Sequence, residues 1–513
     1  MALSALWSAP EVNPINRKAR SVPIFNPINQ YGRVFFFSWF SFLLAFWSWY
    51  AFPPLLSDVI AGDIHVSRNV VSNSNVIALT ATLLVRLIAG PSCDRFGPRL
   101  TFAGCLLLGA IPTFLAGTVS NAGGLYAIRF FVGILGGSFV PCQVWTTGFF
   151  DKNIVGTANS LTAGLGNAGG GITYFAMPAI YNSLRTQSGL SAHVAWRVSF
   201  VVPGIIITTA AICLILFCPD TPTGRWADRM QATENNLRTH ATEGAVVSIP
   251  GDVTQTPDAV RSPSGSDIGD EEKKIDKSQD SGIFHDREVQ MGEQEMIDIA
   301  RCEVIQKPSF SEMLRVILSG PTLVTGAAYF CTFGAELSIN SVLGNYYQRD
   351  LRLGLQEAGN LAAIFGLLNV IMRPLGGMVS DFAYRKTGSV WSKKILLHVY
   401  CVMTGVFCIV IGVTDPRNKA ALVGLVSGGL AFFLEGANGL NYSLVPHVHS
   451  YANGIVSGFT GACGNFGGII FAIIFRYNGT NYPKVFYIIG AMIIGIQVAT
   501  CWIRPVPKGQ GGK

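Results

Sequence analysis

The residues with the most chemistry to offer in this 513-residue chain are two arginines at matching places in a repeated motif. Residues 86–94 and 373–381 both read R-x-x-x-G-x-x-x-D, with Arg86, Gly90 and Asp94 in one copy and Arg373, Gly377 and Asp381 in the other. Each arginine falls within an apolar run, about 12 Å along a helix from its aspartate. A cation inside a bilayer costs about 2.5 kcal/mol or more, so it faces a partner or an aqueous cavity. Two guanidiniums converging from symmetric positions offer planar forks of donors that grip a small planar anion from both sides, a shape lysine lacks. The plainer reading is an intramembrane ion pair with Glu336 or Glu435.

A second motif raises a different chemistry. GLGNAG at residues 164–169 satisfies G-x-G-x-x-G, but a dinucleotide loop needs a preceding strand and an acidic residue about 20 positions on. No Asp or Glu lies between Ile172 and Asp220, and the stretch recurs as GACGNFGG at residues 461–468. Gly166 with Gly170, and Gly464 with Gly468, form G-x-x-x-G instead, widened by Gly169 and Gly467. Such strips let helices approach closely, and they are expected at the interface between two halves. Asn167 and Asn465 lie beside them and can donate amide hydrogen bonds to an oxyanion or to the opposite helix. Tyr329 and Phe333, at i and i+4, share a helical face, and Phe139 sits in the glycine-rich GILGGSFVP. Aromatic groups there would keep water from the arginines.

These residues need a membrane scaffold. Only 13% of the chain is charged, 33 residues are Phe and 57 are Gly, and the mean hydropathy is +0.40, a profile that excludes a soluble globular chain. Twelve segments are long and apolar enough to span a bilayer: 34–56, 71–91, 99–119, 123–148, 155–182, 196–218, 320–345, 355–380, 394–414, 420–443, 451–476 and 482–503. The fold class is therefore an all-α membrane protein, with twelve transmembrane helices in two pseudo-symmetric six-helix bundles. The first bundle is expected at 34–218 and the second at 320–503, with tails at 1–33 and 504–513. Residues 219–319 contain SPSGSDIGDEEKKIDKSQDSG, too poor in apolar groups to bury a core, and are expected to be a largely disordered linker.

Arg17, Lys18, Arg20, Arg33, Arg95, Arg99, Arg385, Lys386, Lys393 and Lys394 flank spans on one side. That side is assigned to the cytoplasm, with both termini and the linker. This arrangement explains the net charge of +7 without nucleic acid. No cleavable leader is expected, because a polar stretch precedes a first span too long for an h-region. Eleven cysteines, among them Cys105, Cys142, Cys213, Cys331, Cys408 and Cys501, show no C-x-x-C or metal spacing, so neither metal nor cofactor is expected. No nucleophile–base pair is evident within the spans, which argues against an enzyme.

The two motifs recur once per half in the same order, at shifts of 287 and 298 residues, the mark of a secondary transporter. GPSCDRFGPR resembles the loop 2–3 motif of the major facilitator superfamily, and the paired Gly-Asn-rich signatures resemble those of its nitrate/nitrite porters. The long linker and the N-terminal VNPINRKARSVPIFNPINQYGRVFFFSWF look closest to fungal nitrate transporters. The resemblance covers both halves. It implies a proton-coupled plasma-membrane importer of nitrate, and of nitrite, by alternating access. Arg86 and Arg373 would bind the anion, with Asn167, Asn465, Phe139, Tyr329 and Phe333 around it. It also implies a cytoplasmic latch of Asp94 with Arg95 and Arg99, and a less secure one of Asp381 with Arg385. Glu336 and Glu435 are candidates to carry protons, with helix-packing ion pairs as the alternative. Other readings are a carrier of another small anion, a nitrate/nitrite exchanger, or a nitrate sensor signalling through a linker phosphorylated by a kinase.

Overall fold

The computed structural model describes residues 6–13, 16–151, 154–229, 231–232, 310–353, 355–449, 452–478 and 481–507. Among them are twelve long helical rods, numbered here in chain order. They are α1 (Gln30–Trp49), α2 (Arg68–Phe96), α3 (Pro98–Leu115), α4 (Ala122–Phe149), α5 (Val155–Thr186) and α6 (Ala192–Phe217), then α7 (Gly320–Asp350), α8 (Leu355–Leu367 with Asn369–Thr387), α9 (Val390–Thr414), α10 (Lys419–Val448), α11 (Asn453–Asn478) and α12 (Tyr482–Thr500). Ten are long and apolar enough to cross a membrane; an eleventh qualifies if the short helix Phe310–Ile317, bent by 61° from α7, counts with it. The rod that does not qualify is α5. The glycines, asparagines and threonines of its first half, residues 155–171, are nearly all covered by other helices, so that part has little need of an apolar surface.

The repeated motif has a structural meaning. A Cβ on Gly90 of α2 would lie 2.5 Å from the Gly454 carbonyl oxygen of α11, so only glycine permits this approach. One turn on, Asp94 accepts the N–H groups of Gly454 (3.1 Å) and Ile455 (3.0 Å). The second copy repeats this on α5: Gly377 of α8 packs against Gly156 and Ser160, and Asp381 accepts the Thr157 N–H (2.6 Å) and hydroxyl (2.9 Å). Each aspartate thus meets the positive end of a helix from the other half.

The two copies differ in their cations. Asp381 is also paired with Lys393 at 2.9 Å, and both are buried. The second site is therefore the more fully partnered, contrary to the sequence expectation. Lys393 replaces the expected Arg385, which is exposed, because α9 begins close enough to bring its first turn over Asp381. Its neighbour Lys394 donates to the Cys501 (2.7 Å) and Ile503 carbonyls. In the first copy Arg99 pairs with Asp220, not Asp94, and Arg95 is exposed, lying over Phe96.

The glycine strips pack inside each half, not between halves as expected. A Cβ on Gly166 would strike Phe42, one on Gly169 the Leu43 carbonyl and one on Gly170 the Tyr50 ring, all on α1 or just after it. Gly464, Gly467 and Gly468 likewise meet Tyr329, Phe330 and Leu337 of α7. The helical period separates the two functions: the glycines that touch the other half, Gly156, Gly164 and Gly171 of α5 and Gly454, Gly458 and Gly461 of α11, lie on another face of the same helices.

Chain segments outside the rods brace one end. Ala19 N–H donates to the Phe149 carbonyl and Asp151 N–H to the Ala19 carbonyl, both at 2.9 Å. Beyond α6, in the stretch expected to open the linker, Trp226 packs over Gly97, whose φ of +92° suits glycine. The Trp226 indole and Arg229 donate to the Asp94 carbonyl (3.3 and 3.4 Å). Residues 233–309 of the linker, and Gly479 and Thr480, which with Asn478 spell the N-x-T pattern of a glycosylation acceptor, lie outside the described residues.

At the opposite end Asp63 ties the α1–α2 connection to α6. It accepts from His193 (2.8 Å), Trp196 (3.0 Å) and Arg197 (2.6 Å). Burial raises its pKa, but these donors outweigh burial and hold it at about 2, below its usual 3.8. A depressed carboxyl stabilises the fold above its unfolded pKa and loses that contribution as pH falls through the folded one. Asp63→Asn should therefore be less stable than the parent at pH 5 and equal to it near pH 2, as read by thermal denaturation. Asp381→Asn strands a buried lysine and should cost about 3–5 kcal/mol. Asp94→Asn weakens bonds to backbone N–H groups only and should cost about 1.5–3 kcal/mol. Equal shifts would contradict this ranking.

Candidate functional site

The two repeat arginines meet at one aromatic cluster. Phe139 of α4 and Tyr329 and Phe333 of α7 lie nearly parallel, with interplanar angles of 4° to 10° and centroids 4.8 to 6.5 Å apart. The Arg86 guanidinium carbon lies 5.0 Å from the Phe139 centroid and 5.1 Å from that of Phe333, and that of Arg373 lies 5.8 Å from Phe333. One ring therefore carries a guanidinium from each half, within cation–π range. Both arginines are buried, at 1% exposure.

Their partners differ. Arg86 donates to the carbonyls of Gly136 and Gly461, both at 3.0 Å. Gly136 lies in the 3₁₀ turn Gly133–Ser138 inside α4, which turns carbonyls toward α2: Thr82 takes that of Gly133 at 2.9 Å and Arg86 that of Gly136. Gly461 belongs to α11, so Arg86 bridges the halves. Among the described residues no carboxylate pairs with it. Arg373 is within 2.9 Å of Glu336 and 3.6 Å of Glu435. The plainer reading thus holds for Arg373 and not for Arg86.

Glu336 sits in a cradle of donors: Asn369 on Oε1 (2.8 Å), Arg373 (2.9 Å) and Asn438 (2.8 Å) on Oε2. Thr332 donates to the Asn438 amide oxygen and sets its orientation. Neither oxygen of Glu435 has a hydrogen-bond partner among the described residues, and the same is true of Arg373 Nε and the Tyr329 hydroxyl. Unpaired buried donors beside a guanidinium suit an incoming acceptor.

Asn465 stands near Arg86, donating at 3.0 Å to the Gly461 carbonyl that Arg86 also uses. Asn167 donates to Ala163 of its own helix at 2.8 Å. Each asparagine thus directs one amide hydrogen to its own helix, not to the opposite one. Asn167 and Glu336 line a small cleft with Phe46, Tyr50, Asn340 and Asn369.

Sequence reasoning missed Tyr442, Asn438 and Asn369. The Tyr442 ring stands edge-on to Phe139 (4.7 Å) and Tyr329 (5.1 Å), and its hydroxyl donates to Ser457. The signal was present: Glu435, Asn438 and Tyr442 are spaced i, i+3, i+7, a polar stripe on an apolar helix, and Asn369 precedes Arg373 by one turn.

The profile of the Major Facilitator Superfamily matches residues 38–472, and again 325–512. The chain is 53% identical over 510 residues to Elsinochrome transporter 1 of Elsinoe fawcettii, covering 99% of each. It is 29% identical over 491 residues to High affinity nitrate transporter 2.5 of Arabidopsis thaliana, covering 95% of this chain and 82% of that one. Among solved structures, the proton:xylose symporter XylE bound to 6-bromo-6-deoxy-D-glucose superposes with a TM-score of 0.60 at 12% identity, over 91% of this chain and 94% of that one. That likeness bears on fold alone. A repeated pair of helical halves that meet at two buried arginines, with a family match over most of the length, leads to one conclusion: the chain belongs to the major facilitator superfamily and is a multi-pass membrane carrier, not an enzyme.

Proposed function

We propose that the chain imports nitrate, and nitrite with it, across the plasma membrane by proton symport, with the bundles at 34–218 and 320–503 rocking about the arginine cluster. The observation that carries this reading is the Phe333 ring flanked by a guanidinium from each half. Nitrate is flat and trigonal, so a fork can bond two of its oxygens while aromatic faces cover its plane. The short, desolvated site strengthens each charged bond. The name of the Arabidopsis relative agrees with this cargo.

The remaining parts take roles around that site. Gly90 with Asp94 and Gly377 with Asp381 form the latches that hold one end closed, and rocking breaks their bonds to the starts of α11 and α5. That end faces the cytoplasm with both termini and the linker, on which a kinase acts. Moving nitrate into a negative interior costs about 2.3 kcal/mol per 100 mV. One proton cancels the charge, and a second makes entry favourable; Glu336 and Glu435 are the groups that take them.

The 53% identity to Elsinochrome transporter 1 favours a second reading, in which elsinochrome is the cargo. Uptake separates the two. In a cell without its own nitrate carrier, the parent should take up nitrate with an inward positive current, and excess elsinochrome should leave uptake unchanged. Arg86→Lys and Arg373→Lys should each reach the membrane yet lose uptake by about 10- to 100-fold, the worth of a lost charge-assisted hydrogen bond. Unchanged uptake in both variants would remove the arginine clamp; inhibition by elsinochrome would favour the second reading.

A further inference from the structure

The repeat makes Arg86 and Arg373 equivalent by backbone, but their surroundings are not. Arg86 meets two carbonyls and two rings, and Arg373 meets two carboxylates. The closer one, Glu336, is itself a flat, delocalised anionic group whose oxygens are gripped by three donors from two helices: Asn369 and Arg373 of α8 and Asn438 of α10. A carboxylate and a nitrate ion share the geometry of two equivalent oxygens on a trigonal centre. A cradle that fits one therefore fits the other.

We propose that Glu336 is a built-in stand-in for the transported anion, holding Arg373 until protonation makes it yield that guanidinium to cargo. The inference rests on the anion-carrier reading above. The bond changes balance. Glu336 carboxylate takes one proton at Oε2 and becomes a neutral acid, so the Arg373 N–H that bonded Oε2 turns to an anion oxygen. One negative charge enters as one is neutralised, and the cluster keeps its net charge. On release the proton departs and the ion pair reforms. Arg86, which faces no such competitor, is the first anchor for the anion, and Arg373 is the conditional one.

Access distinguishes Glu336 from Glu435. Glu336 borders the cleft that Tyr50, Asn167 and Asn340 also line, whereas Glu435 is fully buried and lines no part of it. The titratable and charged groups around Glu336 are Tyr329 of its own helix, Arg373 of α8, Glu435 of α10 and Tyr50 at the end of α1. Arg86 of α2 and Tyr442 of α10 stand beyond, around the Phe333 and Tyr329 rings. Of these, Arg373 is the cation in direct contact, so Glu336 and a second anion compete for it.

The test is nitrate binding to the full-length purified chain in nanodiscs between pH 5.5 and 8, with transport measured in proteoliposomes. In the parent the dissociation constant should rise by about tenfold per pH unit once Glu336 is ionised, because the Glu336 proton, one of the two carried in each cycle, is the one linked to anion binding. Glu336→Gln should bind nitrate with no pH slope, at least as tightly as the parent at pH 5.5. It should retain nitrate counterflow and lose proton-driven accumulation. Glu336→Asp, with its carboxylate drawn back by one methylene, should keep the slope but bind more tightly than the parent at pH 8. A Glu336→Gln variant with the parent's slope overturns the inference, and so does a Glu336→Asp variant that matches the parent at every pH. A parent that binds no nitrate at any pH overturns the anion-carrier reading itself, and this one with it.

Discussion

The structure turns on a buried arginine, Arg86, which no carboxylate balances among the described residues. An uncompensated charge in a low-dielectric interior is tolerated only when fixed dipoles replace the lost water. For Arg86 those dipoles are the Gly136 and Gly461 carbonyls and the faces of Phe139 and Phe333. Each requires a local concession. The α4 helix tightens to a 3₁₀ turn at Gly133–Ser138. Glycine at 461 leaves room for the side chain, since a Cβ there would lie 3.1 Å from Arg86 Cδ. Because one of the two carbonyls belongs to the other half, moving the halves apart also strips Arg86 of part of its solvation. Charge and conformation are coupled through that single side chain.

Symmetry in the backbone and asymmetry in the charges are separate layers of the design. The glycine–aspartate pairs place both halves alike, each aspartate seated on the first turn of a helix opposite. The cations then break the likeness twice. Lys393 reinforces Asp381 where Asp94 has backbone donors and a guanidinium on its carbonyl, and two glutamates attend Arg373 where, among the described residues, Arg86 has none. A two-fold scaffold thus carries unequal charges at equivalent places.

What the sequence disclosed and what it withheld follow from range. Composition and spacing located the long rods, because a bilayer imposes length and apolarity locally. Residues 155–182 were expected among the apolar spans, and α5 is indeed a rod there, but it lacks the hydropathy of a span because the small and polar residues of its first half are covered by other helices. The repeat relates Arg86 to Arg373 and i, i+4 spacing relates Tyr329 to Phe333, but their gathering with Phe139 at one site was expected from the family resemblance and not from spacing. The partners of the latch were not legible: Arg385 is nearer to Asp381 in sequence, yet it is Lys393, in the first turn of α9, that pairs with it. Nor was the face on which Gly166 and Gly169 pack, since a glycine strip names no partner. The ion pair was visible as an alternative for both arginines, and its restriction to Arg373 depends on where α7 and α10 place Glu336 and Glu435, which spacing alone does not encode.

These layers give one account of a carrier whose central clamp is half open to an anion and half occupied by a carboxylate of its own. A density map of the chain saturated with nitrate at acidic pH tests that account most directly. The account predicts a flat feature between the two guanidiniums, within hydrogen-bonding distance of both, with Glu336 withdrawn from Arg373. A map in which the Arg373–Glu336 contact persists while the anion lies elsewhere, or is held by Arg86 alone, would contradict it.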